Sequence, residues 1–156
     1  MCFPPIFFFF LLCSKKKLLF FFFFLSPEGF DPDVLEGATQ QLRDHRIKFI
    51  VFEYNHVWRT SVQQASEEDK LRKRLHTVVT RLHGFGYTCL LVGPRSFVPV
   101  TPPTIWLDKM EFYMWSNVFC GVATDPEFCE VTLGATPPST KTFLQSYYYL
   151  SRQGQL

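Results

Sequence analysis

The chain has 156 residues, 47% hydrophobic and 19% charged, which suits one folded domain and excludes both a disordered tail and two domains of ordinary size. Sixteen Lys and Arg face fourteen Asp and Glu, and Lys15, Lys16 and Lys17 against Glu28 account for the whole +2, so residues 31–156 carry thirteen charges of each sign. A nucleic-acid binder needs a basic excess to displace counterions from phosphates, so nucleic acid is not an expected partner.

Ten of the nineteen Phe fall in the first 25 residues. Residues 1–26 therefore form a low-complexity segment of their own. Its apolar runs, Phe3–Cys13 and Leu18–Leu25, are eleven and eight residues long, against the about 20 that a membrane helix needs. Lys15–Lys17 lie between them, and carrying each lysine through a bilayer centre costs about 2.5–3.5 kcal/mol. Phe, Leu, Ser and Pro have pyrimidine-rich codons and poly-Lys is encoded by adenines. The expectation is a translated pyrimidine tract, with a poor membrane anchor or a buried strand as alternatives. A membrane enters the list of partners only through residues 1–25.

From Glu28 onward the local signals agree with one another. Asp31 suits a helix N-cap and Pro32 the first helical position. Val34, Leu35, Ala38 and Leu42 recur at helical spacing, and Arg43–Arg46 favours the C-terminal end, predicting a helix of about four turns. Ile47–Tyr54 reads as a strand covered on both faces, the pattern of a parallel sheet. Glu67–His83 predicts a second helix, with Leu71, Leu75, Val78, Val79 and Leu82 on one face and i,i+4 pairs Glu68–Arg72 and Asp69–Lys73 on the other. Gly84 and Gly86 end it before a second buried strand, Tyr87–Val92. Pro99, Pro102 and Pro103 then interrupt any long element, Val118–Ala123 predicts a last strand, and residues 137–156 read as a tail. Helix, strand, helix, strand with short connections is an α/β layered pattern.

The five cysteines are odd in number and include no CxxC pair, so free thiols in a reducing compartment are expected, with no metal site. No N-x-[ST] acceptor occurs, which also favours an intracellular protein. Two acids stand where α/β sheets place ligands, at the carboxyl ends of strands. Glu28, beside Gly29 at the mouth of the first helix, suits a cofactor hydroxyl, a metal or a substrate proton. Glu53 ends an apolar strand, where a buried acid is expensive unless paired, and His56 follows it. His45, His76 and His83 read as surface residues, and Trp115-Ser116-Asn117 as a possible pocket lining. No GxSxG, HExxH, P-loop or GxGxxG pattern is present.

Glu28-Gly29, Val34-Leu35-Glu36-Gly37-Ala38 and Phe52-Glu53 fall in an order that resembles the FkbM family of S-adenosyl-L-methionine-dependent methyltransferases. The Gly-Tyr before the strand at Tyr87 and the Trp-Ser-Asn at 115–117 add to the likeness, which covers about residues 28–122. The resemblance implies a Rossmann-like methyltransferase sheet with helices on both faces, represented by its carboxyl-terminal half over residues 27–136. It also implies methyl transfer to a hydroxyl of a small-molecule acceptor, a sugar, lipid or metabolite, with Glu28 and Glu53 as the catalytic acids. The family's acid two positions before the Glu falls on Ser26, and its glycine loop for the cofactor's amino-acid moiety has no counterpart here, so no cofactor-binding residue is assigned. A non-catalytic fragment or a tethered interaction module is the alternative. Calorimetric titration of the 156-residue chain with S-adenosyl-L-methionine is expected to give weak or no binding, because a site without half its walls loses most of its contact area. Micromolar affinity would overturn this.

Overall fold

The computed structural model describes residues 8–14, 17–25, 29–60, 66–93, 97–101, 105–112 and 115–134; the expected tail at 137–156 lies outside them. Its elements in chain order are β1 (Phe8–Ser14), β2 (Lys17–Leu25), α1 (Asp31–Gly37), α2 (Thr39–Arg43), β3 (Ile47–Tyr54), α3 (Val57–Thr60), α4 (Glu67–Arg72), α5 (Leu75–Gly84), β4 (Tyr87–Val92), β5 (Phe97–Pro99), β6 (Ser116–Val122) and α6 (Pro126–Gly134). No helix among the described residues is long and apolar enough to cross a membrane.

The fold is mixed α/β. Its six strands form one sheet in the order β1-β2-β3-β6-β4-β5. β2 and β3 run parallel, with α1 and α2 on the connection between them, and the other four neighbouring pairs are antiparallel. The strands expected at 47–54 and 87–92 form at those residues but are not neighbours. β6 lies between them and pairs antiparallel with both. A wholly parallel sheet is therefore not what these residues build. β3 is nonetheless covered on both faces, as its continuous hydrophobicity suggests.

Alternate residues of the strands feed two cores. Ile50, Phe52 and Tyr54 of β3 join Cys89, Leu91, Val118 and Cys120 in the larger one, closed by Leu35, Leu42, Leu75, Val78, Val79 and Leu82 from the helices. Phe49 joins Leu90 and Phe119 in the smaller one, under Phe128 and Cys129 of α6. The helical periodicity at 71–82 is thus met in α5, whose Leu75, Val78, Val79 and Leu82 are fully buried, whereas Leu71 is exposed.

Both long predicted helices are divided. The first becomes α1 and α2 about Ala38, where Gly37 lowers helical propensity and the Thr39 hydroxyl donates to the Glu36 carbonyl at 2.6 Å. The second breaks at Arg74, which is extended. Ser66 caps α4 by accepting the Asp69 amide at 3.2 Å. α5 has no capping side chain of its own, and a distant acid serves instead. Glu111 Oε1 accepts the Leu75 amide at 2.8 Å and Oε2 the His76 amide at 3.2 Å, and the Tyr54 hydroxyl donates to Oε1 at 3.1 Å. The expected i,i+4 pairs give way to bridges between helices. Arg72 pairs with Asp33 and Glu36, and Lys73 Nζ lies 2.9 Å from Asp33, joining α4 to α1.

Two of the expected free thiols are not free. Cys89 and Cys120 stand opposite one another in β4 and β6, with Cα atoms 4.1 Å apart, and form a disulfide. Sequence spacing cannot show this, because the pairing depends on the insertion of β6 beside β4. Cys129 is a buried thiol, as expected.

β6 and α6 meet where only glycine fits. A Cβ on Gly121 would lie 2.2 Å from the Phe128 ring, which is itself fully buried. Gly121→Ala is expected to destabilise the fold by about 1–3 kcal/mol through overpacking, read as a lower urea midpoint at unchanged slope. An unaltered midpoint would mean that α6 does not rest on β6.

Candidate functional site

The parallel pairing of β2 and β3 brings two carboxyl ends together, with Leu25 opposite Phe52 in the register. The turn after β2 carries Gly29 and the turn after β3 carries Val57. Gly29 has φ +96°, and a Cβ there would fall 2.7 Å from Val57 Cγ1. Glycine is needed twice over, for its left-handed backbone and for the close approach of the two turns.

Asp31 locks these turns to each other. The N-cap of α1 is Phe30 rather than the expected Asp31, and no side chain caps this end. The Asp31 carboxylate instead reaches β3, where its Oδ1 accepts the Glu53 amide at 3.3 Å. The residue is fully buried. Burial raises its pKa from 3.8 to about 6; hydrogen bonds from its own amide, the Glu53 amide and the Trp58 side chain oppose the rise, and the Glu53 charge adds to it.

Glu53 sits where the sequence put it, at the end of β3 and partly buried. Its Oε1 accepts the Asn55 side-chain amide at 2.7 Å. Asn55 is itself buried, and its Oδ1 accepts the Val57 amide at 2.8 Å, forming the turn into α3. Trp58 then packs inward, stacked on Phe52 and edge-on to Tyr54 with ring centroids 5.8 and 5.2 Å away. Across the ladder Glu53 pairs with Asn117, which also pairs with Val92 of β4. Glu53, Asn117 and Val92 therefore form one row at the carboxyl edge of β3 and β4. His56 and Trp115 flank the same edge, their rings perpendicular with centroids 6.2 Å apart.

Glu28, the other expected acid, lies outside the described residues. The structure adds an acid that the sequence reading used only as a cap, Asp31. The available signal was position: an Asp two residues after Gly29, at a strand-to-helix junction. His45, His76 and His83 are remote from this edge in sequence and element. His45 instead bridges two turns, its Nε2 2.6 Å from the Phe85 carbonyl oxygen.

The space beside Gly29 is filled by Val57, so this glycine serves packing between turns and does not leave a cradle for a ligand. Among the described residues no group of three or more His, Cys, Asp or Glu is arranged to hold a metal. What the edge offers is a set of acceptors: the Glu53 carboxylate, the amide of Asn117 and the buried Asp31 carboxyl behind them.

The raised pKa of Asp31 has a definite sign in stability. Between about pH 4 and 6 the folded chain keeps a proton that the unfolded chain has lost, so Asp31 makes stability fall as pH rises through that window. Asp31→Asn, which retains an oxygen acceptor for the Glu53 amide, is expected to leave stability at pH 4 nearly unchanged. At pH 7 it should raise stability by on the order of 2–3 kcal/mol. Urea unfolding of both chains at the two pH values checks this, and a variant no more stable at pH 7 would contradict it.

No protein-family model matches the chain, and no curated protein or solved structure is significantly similar to it.

Proposed function

We propose that residues 27–136 form the acceptor-binding part of a Rossmann-like methyltransferase sheet, acting in methyl transfer from S-adenosyl-L-methionine to a hydroxyl group. The observation that carries this reading is the shared carboxyl edge of the parallel strands β2 and β3, joined by a helical connection. Ligands of open α/β sheets sit at such an edge. The order of Glu28-Gly29, Val34–Ala38 and Phe52-Glu53 along the chain supports the same reading through the family resemblance.

In this reading the chain's own residues handle the acceptor. Glu53, held on one oxygen by Asn55, orients the acceptor hydroxyl and takes its proton as the oxygen becomes a nucleophile. Glu28 is the second catalytic acid by the family resemblance. Asp31 sets the position of Glu53 through the peptide amide between Phe52 and Glu53.

A chain extended at its amino end by a glycine-rich cofactor-binding half provides the test. Methyl transfer by this protein should fall about 10²–10⁴-fold in Glu53→Gln and in Glu28→Gln, the usual cost of removing a positioned acid or base. Parental rates in both folded variants would remove the site assignment.

A further inference from the structure

We propose that the Cys89–Cys120 disulfide is a redox-operated lock: reduction by a dithiol loosens the ladder of β4 and β6 as far as the edge that bears Asn117. This device does not depend on the reaction proposed for that edge.

Cys89 and Cys120 are directly opposed, between the pairs Thr88–Gly121 and Leu90–Phe119. Both are fully buried in the larger core. The backbone of Cys89 is engaged on its other flank. Its amide donates to Thr101 Oγ1 at 2.8 Å, and its carbonyl accepts the Val100 amide at 3.0 Å. Cys89 and Cys120 thus form one of the alternate pairs of an antiparallel ladder that exchange no backbone hydrogen bond. At this rung the sulfur–sulfur bond takes the place of the backbone bonds between β4 and β6.

Breaking that bond has a directed consequence. Two thiol sulfurs cannot approach as closely as bonded ones, and a core at crystal-like packing density has no spare room for the difference. The strands must spread at this rung. Three rungs further along, Val92 faces Asn117, which faces Glu53 of β3 on its other side. β3 is held by β2 and β6, whereas β4 has only β5 beyond it. The spreading is therefore taken up by β4, and the Val92–Asn117 rung loosens while β3 keeps its place.

The same flank of β4 gives access to the bond. β5 spans three residues, Phe97–Pro99, at the edge of the sheet. Pro99 has no amide hydrogen to give, and Val98 is exposed. Short edge segments of this kind open at far lower free energy than the core. Lifting Phe97–Thr101 frees the Cys89 backbone and admits a reductant to the sulfurs. The thiolate of a dithiol attacks one sulfur, and the other leaves as a thiolate that takes a proton. The second thiol of the reductant then resolves the mixed disulfide. Two electrons and two protons pass to the protein, leaving two cysteine thiols and a reductant disulfide.

The experiment treats the full oxidised chain with dithiothreitol, quenches aliquots with iodoacetamide and follows the peptides containing Cys89 and Cys120 by mass spectrometry. Backbone hydrogen exchange is measured on both states. The two peptides are expected to be cross-linked before reduction and alkylated after it, and oxidised glutathione should restore the cross-link. Exchange over residues 87–92 and 116–118 should quicken about tenfold or more on reduction, as local opening sets these rates, while β3 keeps its protection. Thr101→Val leaves the Cys89 amide without its acceptor and so favours the open edge. With β3 protection retained, it should speed reduction about tenfold. Absence of the cross-linked peptide, unchanged exchange on reduction, failure to reoxidise, or a parental reduction rate in Thr101→Val would overturn the proposal. So would loss of protection across the whole chain on reduction, since the disulfide would then be a staple for folding and not a switch.

Discussion

One buried carboxylate holds the candidate site together. Asp31 begins α1, yet its side chain is spent on the backbone of β3, where Oδ1 accepts the Glu53 amide. This bond crosses between two turns that approach so closely that Gly29 cannot carry a Cβ beside Val57. The two constraints depend on each other. The close approach buries Asp31, and burial makes its ionised form costly, as the pKa of about 6 records. Burial also removes competing water from the bond to the Glu53 amide. The position of the acid at the end of β3 is therefore fixed by an acid outside that strand.

Beyond this edge, polar groups at element ends are repeatedly satisfied from a distance. Glu111 caps α5 and receives the Tyr54 hydroxyl, so the segment before β6 is tied to both β3 and the helix that follows α4. The Tyr87 hydroxyl donates to the carbonyls of Leu42 and Ile47 and is buried there, which raises its pKa. Asp33 and Glu36 meet Arg72 and Lys73. The Tyr87, Arg72 and Lys73 bonds join the β2–β3 connection to β4 and to the end of α4. The edge bearing Glu53, Asn117 and Trp115 thus rests on a braced scaffold, which a binding or positioning site requires. The methyltransferase reading draws on this edge and on the family resemblance.

Several elements were legible because their signal is local. Ile47–Tyr54, Tyr87–Val92 and the strand near 118–123 form where alternating or continuous apolar residues place them. The apolar repeat of 75–82 became the buried face of α5. Glu53 was legible as a candidate because an acid ending an apolar strand is conspicuous. Helix continuity was misread on both occasions: apolar spacing persists across Ala38 and Arg74, while the backbone bends at each to let two shorter helices follow the sheet. α6 passed unread, since Pro126 and Gly134 bound only nine residues and its buried positions are few.

The sequence by itself determined the strands at 47–54, 87–92 and 118–122, the helical face of 75–82 and the acid that closes β3, because apolar periodicity and terminal residues act within a few positions of one another. The tertiary structure alone decided that β6 separates β3 from β4, and with that the antiparallel order, the Cys89–Cys120 disulfide and the row of Glu53, Asn117 and Val92. It alone turned Asp31 from a helix cap into the tie between two turns and recruited Glu111 to α5. The physical reason is common to all of these. Each joins residues twenty or more positions apart, and such contacts depend on which surfaces meet once apolar faces are buried, a choice that no local pattern carries.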